Sequence, residues 1–258
     1  MKRKLFLTTT HLLLSPAIFF LVLFTLSCDK MPLTNGDVVN ETRQLTDFNK
    51  IHISGNIDIN IIKSDSCLIE ITAGENLIPN IVSDVIDDIL IINNDNIGDM
   101  FRDNDFTPSA NIYYKSDIYE IYYRSIGDLR SNDYINNDSL SVFDFNIEDG
   151  SGDINLKLRC NNLNINYYGG SSLVNIEGRC DSLSAYRKGL GPIHLEEMPA
   201  RTANVVLYRG NDIYVSCSDL LSARIYDFGN IYYKGQPKIK SHISPDALGR
   251  IIPIDNQN

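Results

Sequence analysis

Regularly spaced tyrosines are the side chains of this sequence best suited to contact a ligand. Tyr168, Tyr208 and Tyr226 each stand five residues before an apolar residue that closes a recurring turn phrase. Aromatic faces beside cations such as Arg187 and Arg209 can bind sugar rings or a protein partner. We therefore predict a ligand-binding column made of the three tyrosines and Arg209. The alternative is a structural ladder, in which the tyrosines cover an edge of the fold and support one another.

Catalytic chemistry has few candidates in this chain. None of His52, His194 and His242 stands beside a serine or cysteine in a recognisable nucleophile phrase. A polysaccharide lyase built on a β-helix would need acids and cations aligned in one groove, and Arg209 with Asp212 is the first pair to consider. We predict no catalytic residue and no cofactor.

Carboxylates and cysteine thiols are the side chains that could bind a metal ion or form disulfide bridges. The loop from Asn93 to Asp105 offers carboxylates, but it lacks the spacing of an EF-hand, so we predict a solvated acidic loop. Cysteines in the body of the chain lack CxxC spacing, which argues against zinc. They are Cys67, Cys160, Cys180 and Cys217.

Three of these cysteines precede similar segments and are predicted to share one column of the fold. They are Cys160, Cys180 and Cys217. Neighbouring strands lie about 4.8 Å apart, within the range that a disulfide spans, so bridges stay an alternative. Parallel neighbours aim their side chains the same way, which suits the S–S dihedral poorly. We therefore favour a buried row of free thiols.

The N-terminus has the layout of a secretory signal. Three cations, Lys2-Arg3-Lys4, precede an apolar stretch that ends in Leu26-Ser27-Cys28. This ending resembles the bacterial lipobox, which implies removal of residues 1–27, lipidation of Cys28, and hence an outer-membrane lipoprotein of the cell envelope. The alternative is an uncleaved transmembrane helix. Residues 28–45 are polar and are predicted to form a flexible tether.

Charge excludes one class of partner. The full chain of 258 residues carries a formal charge of −10, and removal of the three N-terminal cations makes it −13. Nucleic-acid binding depends on cations that release counterions from phosphates, so we predict no nucleic-acid partner.

The segment 46–115 is predicted to form N-terminal strands. Ile51 and Ile53, then Ile57 and Ile59, alternate with polar residues, which is typical of β-strands. The turn residues Ser54-Gly55-Asn56 between the two runs predict a β-hairpin.

The second half of the chain repeats. The phrase Gly150-Ser151-Gly152-Asp153-Ile154 has degenerate copies, and their closing apolar residues lie 19, 20, 20 and 18 positions apart: Ile154, Leu173, Ile193, Ile213 and Ile231. Glycine-rich turns that re-enter apolar strands at a period near twenty predict an all-β parallel solenoid over 116–240, followed by a tail at 241–258. The alternative is an antiparallel meander with hairpins of equal length.

The same phrases carry a family resemblance. Phe48-Asn49-Lys50-Ile51, the run Gly55 to Ile59, Glu75-Asn76-Leu77 and the G-S-G-D-I phrases resemble the DUF2807 family, described as putative auto-transporter adhesin, head GIN domain. The resemblance covers residues 46–240. It implies a right-handed β-helix-like body and a role in surface adhesion, as in lipoproteins of Bacteroidetes.

Together these features predict a lipid-anchored envelope protein that recognises a surface glycan or protein without catalysis. Its membrane contact would be the lipid anchor. Two alternatives stay open: a carbohydrate-active β-helix enzyme of the polysaccharide-lyase kind, and a purely structural envelope subunit.

Overall fold

A computed structural model of the chain describes residues 34–96, 106–136 and 142–254. The predicted signal segment and Cys28 lie outside the described residues, as does most of the acidic loop. Within these three ranges no helix combines the length and apolar character needed to cross a membrane.

The fold is a parallel β-solenoid of about six turns with coils about 20 residues apart, as predicted. Each coil supplies one strand to each of two faces. Alternating side chains point into the space between the faces, where they form one continuous apolar core. A single strand pattern shows this rule: Leu163, Ile165 and Tyr167 are buried, while Asn164 and Asn166 between them face outward.

The first face pairs its strands in the following spatial order. It consists of β5 (Ile81–Ile86), β6 (Ile89–Asn94), β2 (Lys50–Gly55), β8 (Glu120–Ser125), β11 (Val142–Ile147), β13 (Asn162–Tyr167), β15 (Ser182–Arg187), the second parts of β16 (Ile193–Leu207) and β17 (Ile213–Ile225), and β19 (Lys238–Ile243).

The second face is built in the same way. It consists of β1 (Val38–Gln44), β4 (Leu68–Gly74), β7 (Ser109–Tyr114), β3 (Asp58–Lys63), β9 (Leu129–Ser131) with β10 (Ile135–Asn136), β12 (Ile154–Arg159), β14 (Val174–Arg179), the first parts of β16 and β17, β18 (Ile231–Lys234) and β20 (Ile251–Pro253). Because β16 and β17 run from one face into the other, the two faces belong to one 20-stranded sheet.

Antiparallel strands close the N-terminal end. After β3 the chain forms β4 to β7 and the short 3-10 helix Ile78–Asn80 at this end, where β6 and β7 pair in parallel with β2 and β3, and β5 and β4 cover them in antiparallel fashion. The chain then continues with β8, which pairs directly with β2. A true hairpin joins β5 to β6 through Asp87 and Asp88, which both have positive φ and so provide a tight turn.

Antiparallel N-terminal strands are therefore present, but they are not the pair that the sequence suggested. β2 pairs with β6 and β8, and β3 pairs with β7 and β9, all in parallel. Gly55 marks a corner between the two faces, with φ of 87°. A corner and a hairpin turn use the same residue types, so the local sequence alone could not separate them.

The limits predicted for the tether and the tail also need correction. Residues Val38–Gln44 of the predicted tether form β1 and pair antiparallel with β4. At the other end, β20 (Ile251–Pro253) pairs in parallel with β18, so the coils extend beyond residue 240. The solenoid itself begins at β2, well before residue 116.

Two turn phrases pack against an aromatic residue on the first-face strand of the preceding coil. A Cβ at Gly150 would overlap the Tyr123 ring and one at Gly189 would overlap the Tyr167 ring, while a Cβ at Gly152 would meet the Gly127 carbonyl and the Tyr123 hydroxyl. The Tyr167 hydroxyl donates to the carbonyl oxygen of Ser172 at 3.0 Å. Glycine is thus required where a corner closes over an aromatic ring.

The register corrects one member of the repeat. Ile154 pairs with Val174, which pairs with Ile193, so the second copy of the phrase closes at Val174 and not at Leu173. The true spacings of the closing residues are therefore 20, 19, 20 and 18, the last two leading to Ile213 and Ile231.

The last coil is left open. Within the described residues, β19 and β20 are each paired on one side only. Large apolar side chains of this coil are exposed: Ile239 and Ile243 at 43% each and Leu248 at 82%. Such exposure is the feature expected of the structural-subunit alternative.

Candidate functional site

Two of the predicted tyrosines form a pair on a corner of the first face. Tyr208 and Tyr226 follow directly after strands β16 and β17, and their backbone amides bond to the preceding coil. Their ring centroids lie 5.6 Å apart, and the ring of His242 on β19 lies 6.0 Å from that of Tyr226. The two tyrosines are 47% and 40% exposed. This arrangement presents aromatic surface to solvent on rigid supports.

The third tyrosine stands apart from this pair. Tyr168 is 49% exposed and its ring contacts that of Tyr186 at 5.9 Å. Lys188 occupies the same row in the coil between Tyr168 and Tyr208, as the backbone hydrogen bonds of the row show. The row thus contains two aromatic groups separated by a cation, and not one continuous column.

Arg187 and Arg209, which were predicted to lie beside the tyrosines, differ in burial. Arg209 is exposed and makes no hydrogen bond or ion pair within the described part of the chain, so it is accessible beside Tyr208. Arg187 is fully buried. The expectation that Arg187 borders a surface site is therefore wrong, because the residue occupies an inward position of β15.

The Arg187 guanidinium takes the place that Tyr167 has in the preceding coil. It donates to the backbone carbonyl oxygens of Gly191, Asn211 and Asp212 and thereby joins two corners of the solenoid. Burial lowers the pKa of Arg187 to about 10, so the side chain is still charged at neutral pH. Its Nε has no partner among the described residues. This residue is structural.

The acid of the predicted Arg209–Asp212 pair is also used within the fold. The Asp212 carboxylate accepts hydrogen bonds from the backbone N–H of Asn230 at 2.7 Å and from its side chain at 3.1 Å. Asn230 in turn accepts the backbone N–H of Arg250 at 3.0 Å. Asp58 and Asp128 do the same in earlier coils. The Asp of the turn phrase therefore connects successive corners, which gives it a structural reason to recur.

The cysteine row is present, and all its thiols are free. Cys160 and Cys180 occupy equivalent positions in successive coils, Ala200 takes the next, and Cys217 the one after. Burial raises the pKa of Cys160 and of Cys180 to about 12, so neither forms a thiolate readily near neutral pH. Cys67 lies elsewhere, with its thiol donating to the Asp47 carboxylate.

Metal ligands do not converge in the described ranges, where no three His, Cys, Asp or Glu side chains could hold one ion. Of the acids of the loop, Asp95 lies within these ranges, and its carboxylate accepts a hydrogen bond from the Asn93 side chain. The other acids of the loop, Asp99, Asp103 and Asp105, lie outside them.

A second set of rings lies half-buried on the second face and was not predicted as a site. His194, Tyr214 and Tyr232 are paired in register on three successive coils, and their rings stack face to face. The sequence did indicate that these three rings share one row, because each stands one residue after a closing apolar residue: Ile193, Ile213 or Ile231. That position points outward because the closing residue points inward.

The fold and these surfaces define a class: a two-faced β-solenoid with an antiparallel N-terminal cap and aromatic side chains displayed along its coils. Residues 47–237 match the model of one family. The chain belongs to the DUF2807 family, described as putative auto-transporter adhesin, head GIN domain.

Solved structures from three bacteria share this fold. A putative adhesin from Bacteroides fragilis is 21% identical, with a TM-score of 0.73 over 86% of this chain and 99% of that one. A putative lipid binding protein from Parabacteroides distasonis is also 21% identical, with a TM-score of 0.63 over 86% and 99%. A putative adhesin from Parabacteroides merdae is 18% identical, with a TM-score of 0.59 over 86% and 98%. No curated protein matches the chain.

Proposed function

We propose that this protein is a lipid-anchored adhesin of the bacterial cell envelope that recognises a surface glycan or protein without catalysing a reaction. One observation carries the proposal: the solvent-exposed ring pair of Tyr208 and Tyr226 on a corner of rigid coils. Exposed aromatic residues on a rigid support lose little side-chain entropy on binding and often dominate recognition. Arg209 adds a cation beside the pair. Membership in a family described as an adhesin supports the same role.

Removal of the ring pair is expected to abolish recognition. The double variant Tyr208→Ala, Tyr226→Ala should lower binding on an array of bacterial and host glycans, or to intact cells, by at least tenfold, because truncation of a central aromatic contact costs about 2 kcal/mol or more. Tyr119→Ala is the matched control, since Tyr119 is similarly exposed, at 43%, outside this row. Unchanged binding by the double variant, with the wild type binding, would show that the pair is structural only.

The anchor is tested separately at Cys28. We expect Cys28→Ala to move the protein from the membrane fraction to the soluble fraction and to abolish incorporation of labelled palmitate. Several acyl chains on one residue hold a protein firmly, because each buried methylene adds about 0.8 kcal/mol. Cys67→Ala is the control and should stay in the membrane fraction. Retention of Cys28→Ala in the membrane would contradict the lipoprotein assignment and favour an uncleaved helix.

A further inference from the structure

A cavity of about 460 Å³ lies on the outer surface of the second face. Its lining comes from neighbouring coils and includes Arg130, Asn155, Lys157, Asn175, Glu177 and His194. It is separate from the Tyr208–Tyr226 pair, none of whose atoms line it. Its walls combine apolar surface with donors and acceptors, which is the composition of small-ligand sites.

A stack of rings ends at this cavity. The His194 and Tyr214 ring centroids are 4.5 Å apart, and those of Tyr214 and Tyr232 are 4.8 Å apart, with 8° between the planes in each case. The stack runs from one coil to the next, and Asn175 occupies the position beside His194 in this row. The second face of the His194 ring is therefore turned toward the coil of Asn175, which is the side of the cavity.

Hydrogen bonds fix the orientation of the two side chains at this ring face, Asn175 and His194. Asn175 donates its side-chain N–H to Asn155 at 2.9 Å, away from His194. His194 Nδ1 lies 3.0 Å from Glu196 Oε1, and because an ionised carboxylate only accepts, Nδ1 is the donor. The other ring nitrogen, Nε2, is then an acceptor in the neutral ring.

Acids outnumber cations in the cavity lining, with three carboxylates and two cations: Glu177, Glu196, Glu197, Arg130 and Lys157. Lys157 lies 3.3 Å from the Glu177 carboxylate, and Lys234 lies 3.4 Å from that of Glu197, a further lining residue. A phosphate or carboxylate ligand would have to enter beside these glutamates. An uncharged ligand with hydroxyl groups avoids this repulsion, since each hydroxyl both donates and accepts a hydrogen bond.

We infer that this cavity binds one neutral pyranose sugar, whose C–H face packs on the His194 ring while its hydroxyls bond to Asn155, Asn175 and the Lys157–Glu177 pair. The inference deepens the proposed function, since it rests on the protein being a recognition module and supplies the ligand class at a second site. Glu196 acts as a positioning residue, because it fixes the ring through Nδ1.

The inference is tested with simple methyl glycosides. Saturation-transfer difference NMR would be recorded with methyl glycopyranosides of glucose, galactose, mannose and N-acetylglucosamine, with methyl glucuronide and AMP as charged probes. We expect saturation of the ring protons of at least one neutral glycoside. His194→Ala should weaken its binding at least tenfold in calorimetry, whereas His194→Phe, which keeps a flat ring, should retain most of the stacking contribution. Urea unfolding of each variant checks that the fold is intact.

Three outcomes overturn the inference: no neutral glycoside binds, a charged probe binds best, or binding survives in folded His194→Ala. Tyr119→Ala is the matched control, because Tyr119 is exposed and lies in neither site, and it should leave glycoside binding at the cavity unchanged. If the Tyr208 and Tyr226 substitutions abolish array or cell binding while the His194 variants have no effect, the proposed function stands and the cavity assignment fails. If the His194 variants lose binding while the Tyr208 and Tyr226 substitutions have no effect, the cavity is the binding site and the Tyr208–Tyr226 pair is not.

Discussion

Arg187→Ala is expected to lower the free energy of unfolding by about 3–5 kcal/mol, the range found when a large buried side chain is truncated to alanine. Truncation removes the donor to the backbone carbonyls of Gly191 and Asn211, whereas the Asp212 carbonyl still accepts from the Ile193 N–H at 3.2 Å. Each buried acceptor without a partner costs about 1–3 kcal/mol, and the side chain also leaves a cavity. The loss should appear as a lower urea midpoint and a lower Tm.

Two further variants test whether the loss of stability comes from the buried position of Arg187 or from the removal of a charge. Arg209→Ala removes the same residue type from the surface and should change stability by no more than about 0.5 kcal/mol. Arg187→Tyr is expected to recover part of the loss, because Tyr167 closes the preceding corner in the same inward position. Equal midpoints for Arg187→Ala and Arg209→Ala would contradict the corner-closing role.

Gly170→Ala is expected to destabilise the fold by about 3 kcal/mol or more. Gly170 has φ of 95°, where a side chain is strained, and strain of this kind costs about 1–3 kcal/mol. A Cβ there would also lie closer than 3.0 Å to the backbone oxygen of Gly150 in the coil below. That oxygen belongs to backbone bridged to Gly170, so it cannot move without opening the corner.

The control for this glycine lies next to it. Ser171 is exposed, and its backbone N–H, not its side chain, donates to Gly150 at 2.8 Å. Ser171→Ala should therefore leave the urea midpoint nearly unchanged. If Gly170→Ala and Ser171→Ala unfold at the same denaturant concentration, the close approach of the two corners does not limit stability.

The period of the sequence was enough to predict the coils, because only equal spacing lets inward residues stack in register. It could not identify the exact closing residue in the second copy, since Leu173 and Val174 are adjacent and equally apolar. Nor could it distinguish a corner from a hairpin turn at Gly55. Antiparallel β1 was missed because polar residues that alternate on an exposed edge resemble a tether.

The site was harder to predict than the fold. Side-chain type suggested that Arg187 is at the surface, whereas its place in the alternation, two residues after buried Ala185, points inward. The alternation of inward and outward residues predicts the burial of Arg187 better than its side-chain type does. The cavity beside His194 could not be predicted from the sequence, because its shape depends on the direction of the Asn175 side chain, which donates a hydrogen bond to Asn155.

The two ends of the solenoid differ, and this difference lets its length change by complete coils. Antiparallel strands terminate one end, whereas β19 and β20 still present the same inward and outward positions as every coil before them. A duplicated coil could follow there without altering any earlier contact, and each would extend the stack by about 4.8 Å. Relatives could therefore differ in reach by whole coils, with gene duplication rather than point mutation as the source of the change.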